Sequence, residues 1–354
     1  MENGQQRAGG HDYAWNGLRW AAAIAVSGVA AWLSARRIHW QSLRDSLSGA
    51  NLPLLALGLA AVVCTTAVKA VRWHLLLSPT MARLDGFRVF RILVIGQMGN
   101  GFLPARAGDI ARAVLAGREG PGAAEAFGTI VSEKILDGVT GMLLLLCLAA
   151  AGHFPAWLRW PALAAGAVVA AFVIFILAVE PLGRACTARA AMWRSQQTAP
   201  HVRSTFAAQT RKHLLRLARH ISLGFNVLAQ PRILIAGLAL SATVWGFGIA
   251  TNQIILAASA VQVPIWANLL VVIAVYLASL LPAAPAQIGV FEYACVTALG
   301  AAQVPPAAAL AFALLLHLVV YSPPALLGPV FAAVEGLRWS TLGRRNPADG
   351  QRSG

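Results

Sequence analysis

Apolar residues run through this chain in long blocks separated by short polar or basic stretches. A helix rising 1.5 Å per residue needs roughly 20 such residues to cross about 30 Å of hydrocarbon. By that measure the candidate spans are Leu18–Ala35, Leu52–Val71, Gly128–Ala151, Pro161–Val179, Ile233–Ala257, Ile265–Leu281, Ala286–Ala301 and Ala307–Val334. Trp20, Trp73, Trp157, Trp160, Trp266 and Trp339 stand at their edges, the depth that amphipathic rings prefer. No small-x-small cleavage site follows the first run, so Leu18–Ala35 reads as a retained span rather than a signal peptide. The pattern predicts an all-α polytopic integral membrane protein of about eight transmembrane helices.

Two segments depart from it. "GQMGNGFLPARAGDIARA", Gly96–Ala113, sets Asn100, Arg106, Asp109 and Arg112 among glycines and Pro104. The apolar run before its first arginine, Ile92–Ala105, makes only about 21 Å of helix, too short to cross. Gly99, Gly101 and Pro104 are expected to interrupt it, because glycine relaxes and proline blocks the helical ladder. Arg106–Ala116 then resumes as helix, with Asp109 and Arg112 on one face. "YLASLLPAAPAQIGVFEYACVTAL", Tyr276–Leu299, repeats the layout. Leu103-Pro104-Ala105 corresponds to Leu281-Pro282-Ala283, and Gly108-Asp109 to the neighbourhood of Gly289 and Glu292. Paired interrupted segments in two halves point to a transporter-type site near the membrane midplane. They predict two re-entrant or broken-helix elements in a pseudo-repeat, whose freed backbone groups are buried in protein or line a wet cavity.

Between them lies "AFGTIVSEKILDGVTGML", Ala126–Leu143, where Glu133 and Asp137 share a helix face beside Lys134. A charge at a helix centre costs roughly 2.5–3.5 kcal/mol on insertion scales. These three should therefore face partners or a water-filled cavity, with Arg106 or Arg112 as the natural counter-ion. Lys69 and Arg72, ending the second span, are expected to snorkel. His317 and Tyr321, one turn apart, read as a satisfied buried pair, and Asn252 and Gln253 as interhelical glue.

Composition agrees with the membrane reading: 58% hydrophobic, 12% charged, mean hydropathy +0.65. Soluble domains average about 45–50% apolar and about 25% charged. The net charge of +15 comes from arginine, all but Lys69, Lys134 and Lys212 of the 28 basic residues. Pro181–Arg232 is rich in arginine and has no acid, which puts it in the cytoplasm of a bacterial-type inner membrane protein. Within it, Arg203–Leu223 has the spacing of a surface-lying amphipathic helix. Counting spans outward puts both termini in the cytoplasm if Ala286–Ala301 crosses, and the basic C-terminal tail outside if that stretch is re-entrant; the first is the favoured reading, although Arg36, Arg37 and Arg44 then fall outside. The domain plan is a cytoplasmic tail over 1–17, a transmembrane domain over 18–335 holding the basic loop 181–232, and a polar, disordered tail over 336–354. No basic-aromatic module argues for nucleic acid. Cys64, Cys147, Cys186 and Cys295 lack metal-ligand spacing and read as packing residues. No metal or nucleotide motif is evident, so no cofactor is expected.

"VRWHLLL", "GQMGNGFLPARAGDIARA", "GTIVSEKILDGV" and "PAAPAQIGVFEYA" follow one another in this order. With them the chain, over about residues 15–335, resembles the family named for the transmembrane region of lysylphosphatidylglycerol synthases, the flippase-like domain family. The family's pattern falls on Asn100, Leu103, Pro104, Arg106, Gly108 and Asp109, on Glu133, Lys134 and Asp137, and on Gly289 and Glu292. Aspartate stands for the commoner glutamate at Asp109, and lysine for the commoner arginine at Lys134. The resemblance implies a membrane domain that moves or presents lipids. Only a polar tail follows residue 335, so the synthase activity of the fused proteins is not carried over and the reading leans away from an enzyme.

The expected function is translocation of an anionic lipid or lipid-linked sugar in envelope biogenesis, with envelope enzymes as possible partners. Asn100, Pro104, Arg106, Asp109, Arg112, Glu133, Lys134, Asp137, Gly289 and Glu292 form the candidate substrate site. Arg106 and Arg112 would hold the headgroup, and Asp109, Glu133, Asp137 and Glu292 would balance them. A transferase acting on a lipid-linked substrate, with Asp109, Glu133 or Asp137 as base, and a non-transporting scaffold are the alternatives.

Overall fold

The computed structural model describes residues 24–36, 38–78, 84–103, 106–119, 122–153, 155–164, 166–167, 169–171, 174, 227–281 and 283–336. The basic segment containing Arg203–Leu223, both chain ends and Pro104 lie outside the described residues. Among the described residues there is no strand. The helices are α1 (Ile24–Ala35), α2 (Trp40–Ser48), α3 (Leu52–Leu77), α4 (Gly86–Phe102), α5 (Ala107–Gly117) and α6 (Ala123–Ala150). After them come α7 (Ala156–Ala171), α8 (Pro231–Ala258), α9 (Ile265–Ala278), α10 (Val290–Gly300) and α11 (Pro306–Val334).

Local chemistry sets the ends. Asn51 caps α3 by accepting from Leu54 N at 3.2 Å, and α8 and α11 begin on Pro231 and Pro306, where the missing N–H costs nothing. With 26, 28 and 29 residues, α3, α8 and α11 are long and apolar enough to cross a membrane. At 28 residues α6 is as long, but it carries Glu133, Lys134 and Asp137. Ile265–Leu281, expected as a span, and Ala286–Ala301, open between a span and a re-entrant element, both hold shorter helices in the structure. α9 has 14 residues and α10 has 11, about 21 and 16 Å of helix, so neither crosses alone.

The first break differs in cause from the expectation. Gly99 and Gly101 lie inside α4, which stays helical to Phe102. The chain leaves the helix at Leu103 (φ −108°, ψ 150°), the residue that a following proline pushes out of the helical region. It re-enters at Arg106 in the left-handed region (φ 53°, ψ 42°), the N-cap of α5. Glycine serves close approach instead. A Cβ on Gly108 would sit 1.9 Å from Gly96 O and 2.5 Å from Asn100 N, so α5 folds back on α4 only because Gly108 has none. At the second break Ala286 (φ 56°), Gln287 (φ 58°) and Gly289 (φ 87°) turn the chain between α9 and α10.

Each broken element has its own core. Trp73, Leu77, Ile92, Ile95, Leu115 and Ile130 pack around α4 and α5. Ile255, Leu270, Val271, Phe291, Cys295 and Phe312 pack around α9 and α10. The frame between them is α3 beside antiparallel α8, with Asn51 N donating to Ala258 O at 2.9 Å, and α11 against α3 and α4. Glu335 ties the end of α11 to α4 through Arg88 (3.2 Å) and Arg91 (2.9 Å).

Candidate functional site

The site starts on α3, whose Lys69, Arg72 and Trp73 share one face at i, i+3 and i+4. Arg72 does not snorkel: the helix runs on to Leu77, and the guanidinium is 0% exposed. It donates to both carboxylate oxygens of Asp137 on α6 and, at 2.7 Å, to the Ser241 hydroxyl on α8. Its other terminal nitrogen lies 3.4 Å from Glu133. Trp73 is no interfacial ring either. It is fully buried, its indole N–H donates to Thr129 Oγ1 at 3.1 Å, and the Arg112 guanidinium lies 4.1 Å from its centroid.

Arg112, on α5, donates to Glu133 at 2.7 Å and lies 3.5 Å from Asp109. Two guanidiniums from two helices therefore clasp Glu133. Asn100 locks Asp109 in place: its amide donates to the carboxylate at 2.9 Å, and its oxygen accepts from Asp109 N at 3.0 Å. Lys134 lies 3.9 Å from Asp109. Three cations, Arg72, Arg112 and Lys134, thus close against three carboxylates, Asp109, Glu133 and Asp137. Such closure is what makes charge tolerable in a low-dielectric interior.

Lys69 and Arg106 stand outside that balance. Among the described residues neither has a carboxylate within ion-pair distance. Both face a cavity of about 490 Å³ bounded by α3, α4, α6, α8, α9, α10 and α11. That volume is within the roughly 300–1,000 Å³ of small-molecule sites. Arg106 also donates to Ser279 O at 2.7 Å, and Gln287 donates to the same carbonyl at 3.4 Å, so the two breaks meet here. Asn252, Tyr276 and Tyr321 line the cavity too, and among the described residues their side-chain polar atoms have no hydrogen-bond partner. Trp245 and Phe291 supply apolar wall.

The expected site residues divide accordingly. Asn100, Arg106, Lys134 and Asp137 line the cavity. Asp109, Arg112 and Glu133 stand behind them in the ion network and do not line it. Arg106 is not the counter-ion of the α6 acids; Arg72 and Arg112 are. Glu292 does not balance the arginines. It accepts from Gly289 N at 2.6 Å and pairs with His317. Gly289 is held against α1, where a Cβ would come within 2.2 Å of Ser27 O. Gln253 does join helices, accepting from Asn268 at 3.0 Å, whereas Asn252 faces the cavity. Sequence reasoning missed Lys69 and Arg72; the signal was their shared face with Trp73. Among the described residues no group of three or more His, Cys, Asp or Glu is placed to hold a metal ion.

Comparison with curated proteins returns no match. The model of the family described as the lysylphosphatidylglycerol synthase TM region matches residues 20–328, and the chain belongs to that family. It is a multi-pass membrane protein with a membrane lipid-handling role.

Proposed function

We propose that this member of the lysylphosphatidylglycerol synthase TM region family takes the headgroup of an anionic lipid, or of a lipid-linked intermediate of envelope biogenesis, into the cavity between its two broken elements. From there it passes the headgroup across the inner membrane. The observation that carries this reading is the charge count at the cavity. The ion network closes at three against three, leaving Lys69 and Arg106 on the wall without an ion pair among the described residues. A cationic surplus on the cavity wall suits a phosphate ester and disfavours a cationic headgroup. Arg106 offers a planar fork for phosphate oxygens and Lys69 a compact point charge. Asn252, Tyr276 and Tyr321 offer donors and acceptors to hydroxyls beyond the phosphate. Asn100, Asp109, Arg112, Glu133 and Asp137 then act as positioning residues, because their amide, carboxylate and terminal guanidinium groups already engage one another or Arg72.

The test is a translocation assay in phosphatidylcholine proteoliposomes carrying trace fluorescent phosphatidylglycerol, read by the fraction quenched from outside. Wild type should move this probe faster than fluorescent phosphatidylcholine. Arg106→Ala and Lys69→Ala should each slow it at least about tenfold. Rates equal to wild type in both variants would remove the assignment of the site. Movement by no variant, with full complementation in cells, would favour a scaffold.

A further inference from the structure

One ionisable pair lies apart from the network. Glu292, in the first turn of α10, uses one oxygen to accept from Gly289 N and presents the other to His317 Nδ1 on α11. Their side chains are 9% and 14% exposed. The His317 ring packs against Phe291 (4.9 Å) and Tyr321 (4.5 Å), and both of those line the cavity. One aromatic layer therefore separates the pair from the headgroup space. Among the described residues, the other titratable groups that reach Glu292 from the helices around it are Cys295 on α10 and Tyr321 on α11. No lysine, arginine or second acid comes within ion-pair distance.

The other acids of the site face guanidinium or ammonium groups, which keep their charge through the physiological range. Glu292 instead faces an imidazole, a group that exchanges a proton at nitrogen far more readily than a guanidinium does. We propose that Glu292–His317 is a proton-binding site coupled to occupancy of the cavity, so that headgroup movement is proton-coupled. This rests on the headgroup reading above. With Glu292 ionised, Nδ1 carries a proton and donates to the carboxylate, leaving Nε2 as the acceptor. A proton from water adds at Nε2, no other bond changes, and the pair goes from a net −1 to zero. An anionic headgroup seated against Phe291 and Tyr321 adds negative charge one aromatic layer from the imidazole, so binding draws the proton in. By linkage the effect is mutual, and headgroup binding tightens as pH falls through the range of the pair.

The experiment uses the full chain in phosphatidylcholine nanodiscs, with dioctanoyl phosphatidylglycerol as the probe. Binding is measured by calorimetry from pH 6 to 8 in buffers of different ionisation enthalpy, which gives the protons taken up per lipid. Wild type should take up a little over half a proton at the midpoint and bind about tenfold more tightly at pH 6 than at pH 8. His317→Gln and Glu292→Gln should bind with a flat pH profile and no uptake. The Glu292→Gln amide oxygen can still accept from Gly289 N, so this variant guards against a simple folding defect in the first. Binding without proton uptake in wild type, or uptake that survives both substitutions, overturns the coupling while leaving the headgroup site intact. No probe binding at any pH overturns the headgroup reading and the coupling together.

Discussion

Replacing Arg72 by methionine is the sharpest test of what holds the site together. Arg72 is fully buried and serves Asp137, Glu133 and Ser241 at once, joining α3 to α6 and α8. Without it Glu133 keeps Arg112 at 2.7 Å, but among the described residues Asp137 keeps no counter-ion within 4.0 Å. One uncompensated charge in a buried network costs about 3–5 kcal/mol. Against a total stability of about 5–15 kcal/mol, that is a large share. Unfolding in mixed micelles by sodium dodecyl sulfate, followed by far-ultraviolet circular dichroism, should report a loss of this size. The double variant Arg72→Met with Asp137→Leu removes both charges, and apolar replacement of a complete buried pair is often neutral or stabilising. It should recover most of the loss. Arg106→Met, which strips an exposed cavity arginine with no carboxylate partner, should stay within about 1 kcal/mol of wild type. A stable Arg72→Met protein, or a double variant no better than the single, would refute the assignment of Arg72 as the counter-ion that joins the helices.

Further outcomes follow from the same geometry. Gly108→Ala drives a methyl into Gly96 O and should abolish monodisperse protein in size-exclusion chromatography, whereas Gly101→Ala, whose nearest neighbour is Tyr321 at 3.5 Å, should elute as wild type. Arg112→Lys keeps the charge but loses the two terminal nitrogens that reach Glu133 and Asp109 at once and the planar stack on Trp73. It should lower stability by about 1–3 kcal/mol in the same unfolding assay and perturb tryptophan fluorescence. Phosphatidylglycerol binding should weaken with salt in wild type and lose most of that dependence in the double variant Lys69→Ala with Arg106→Ala, measured by calorimetry at 50 and 500 mM sodium chloride.

Much of the fold could be read from hydropathy, because a span must be apolar over a length that the bilayer dictates. The breaks were legible for the same reason: Pro104 and Pro282 interrupt runs too short to cross. The exact cause of the first break was not. Gly99 and Gly101 are weak helix formers by themselves, but the surrounding α3 and α11 hold α4 helical past both of them, and the steric demand of Pro104 on Leu103 decides. At the site, Glu133 and Asp137 announced a need for counter-ions, and Arg112 was named among them. Arg72 was misjudged because its depth depended on six further helical residues after Val71, and Lys69 because a cation at a span's end ordinarily reaches for water. The partner of Glu292 depended on which face of α11 meets α10, a tertiary fact that local spacing does not contain.

The single carbonyl of Ser279, shared by Arg106 and Gln287, also bears on mechanics. It is a point where a hydrogen bond from the first broken element crosses to the second, and it borders the cavity. The two hairpins therefore cannot slide past one another without releasing that bond, and the guanidinium that releases it is the one facing the cavity. Cargo that competes for Arg106 would act as the key to a pinned joint, and an empty protein would stay latched.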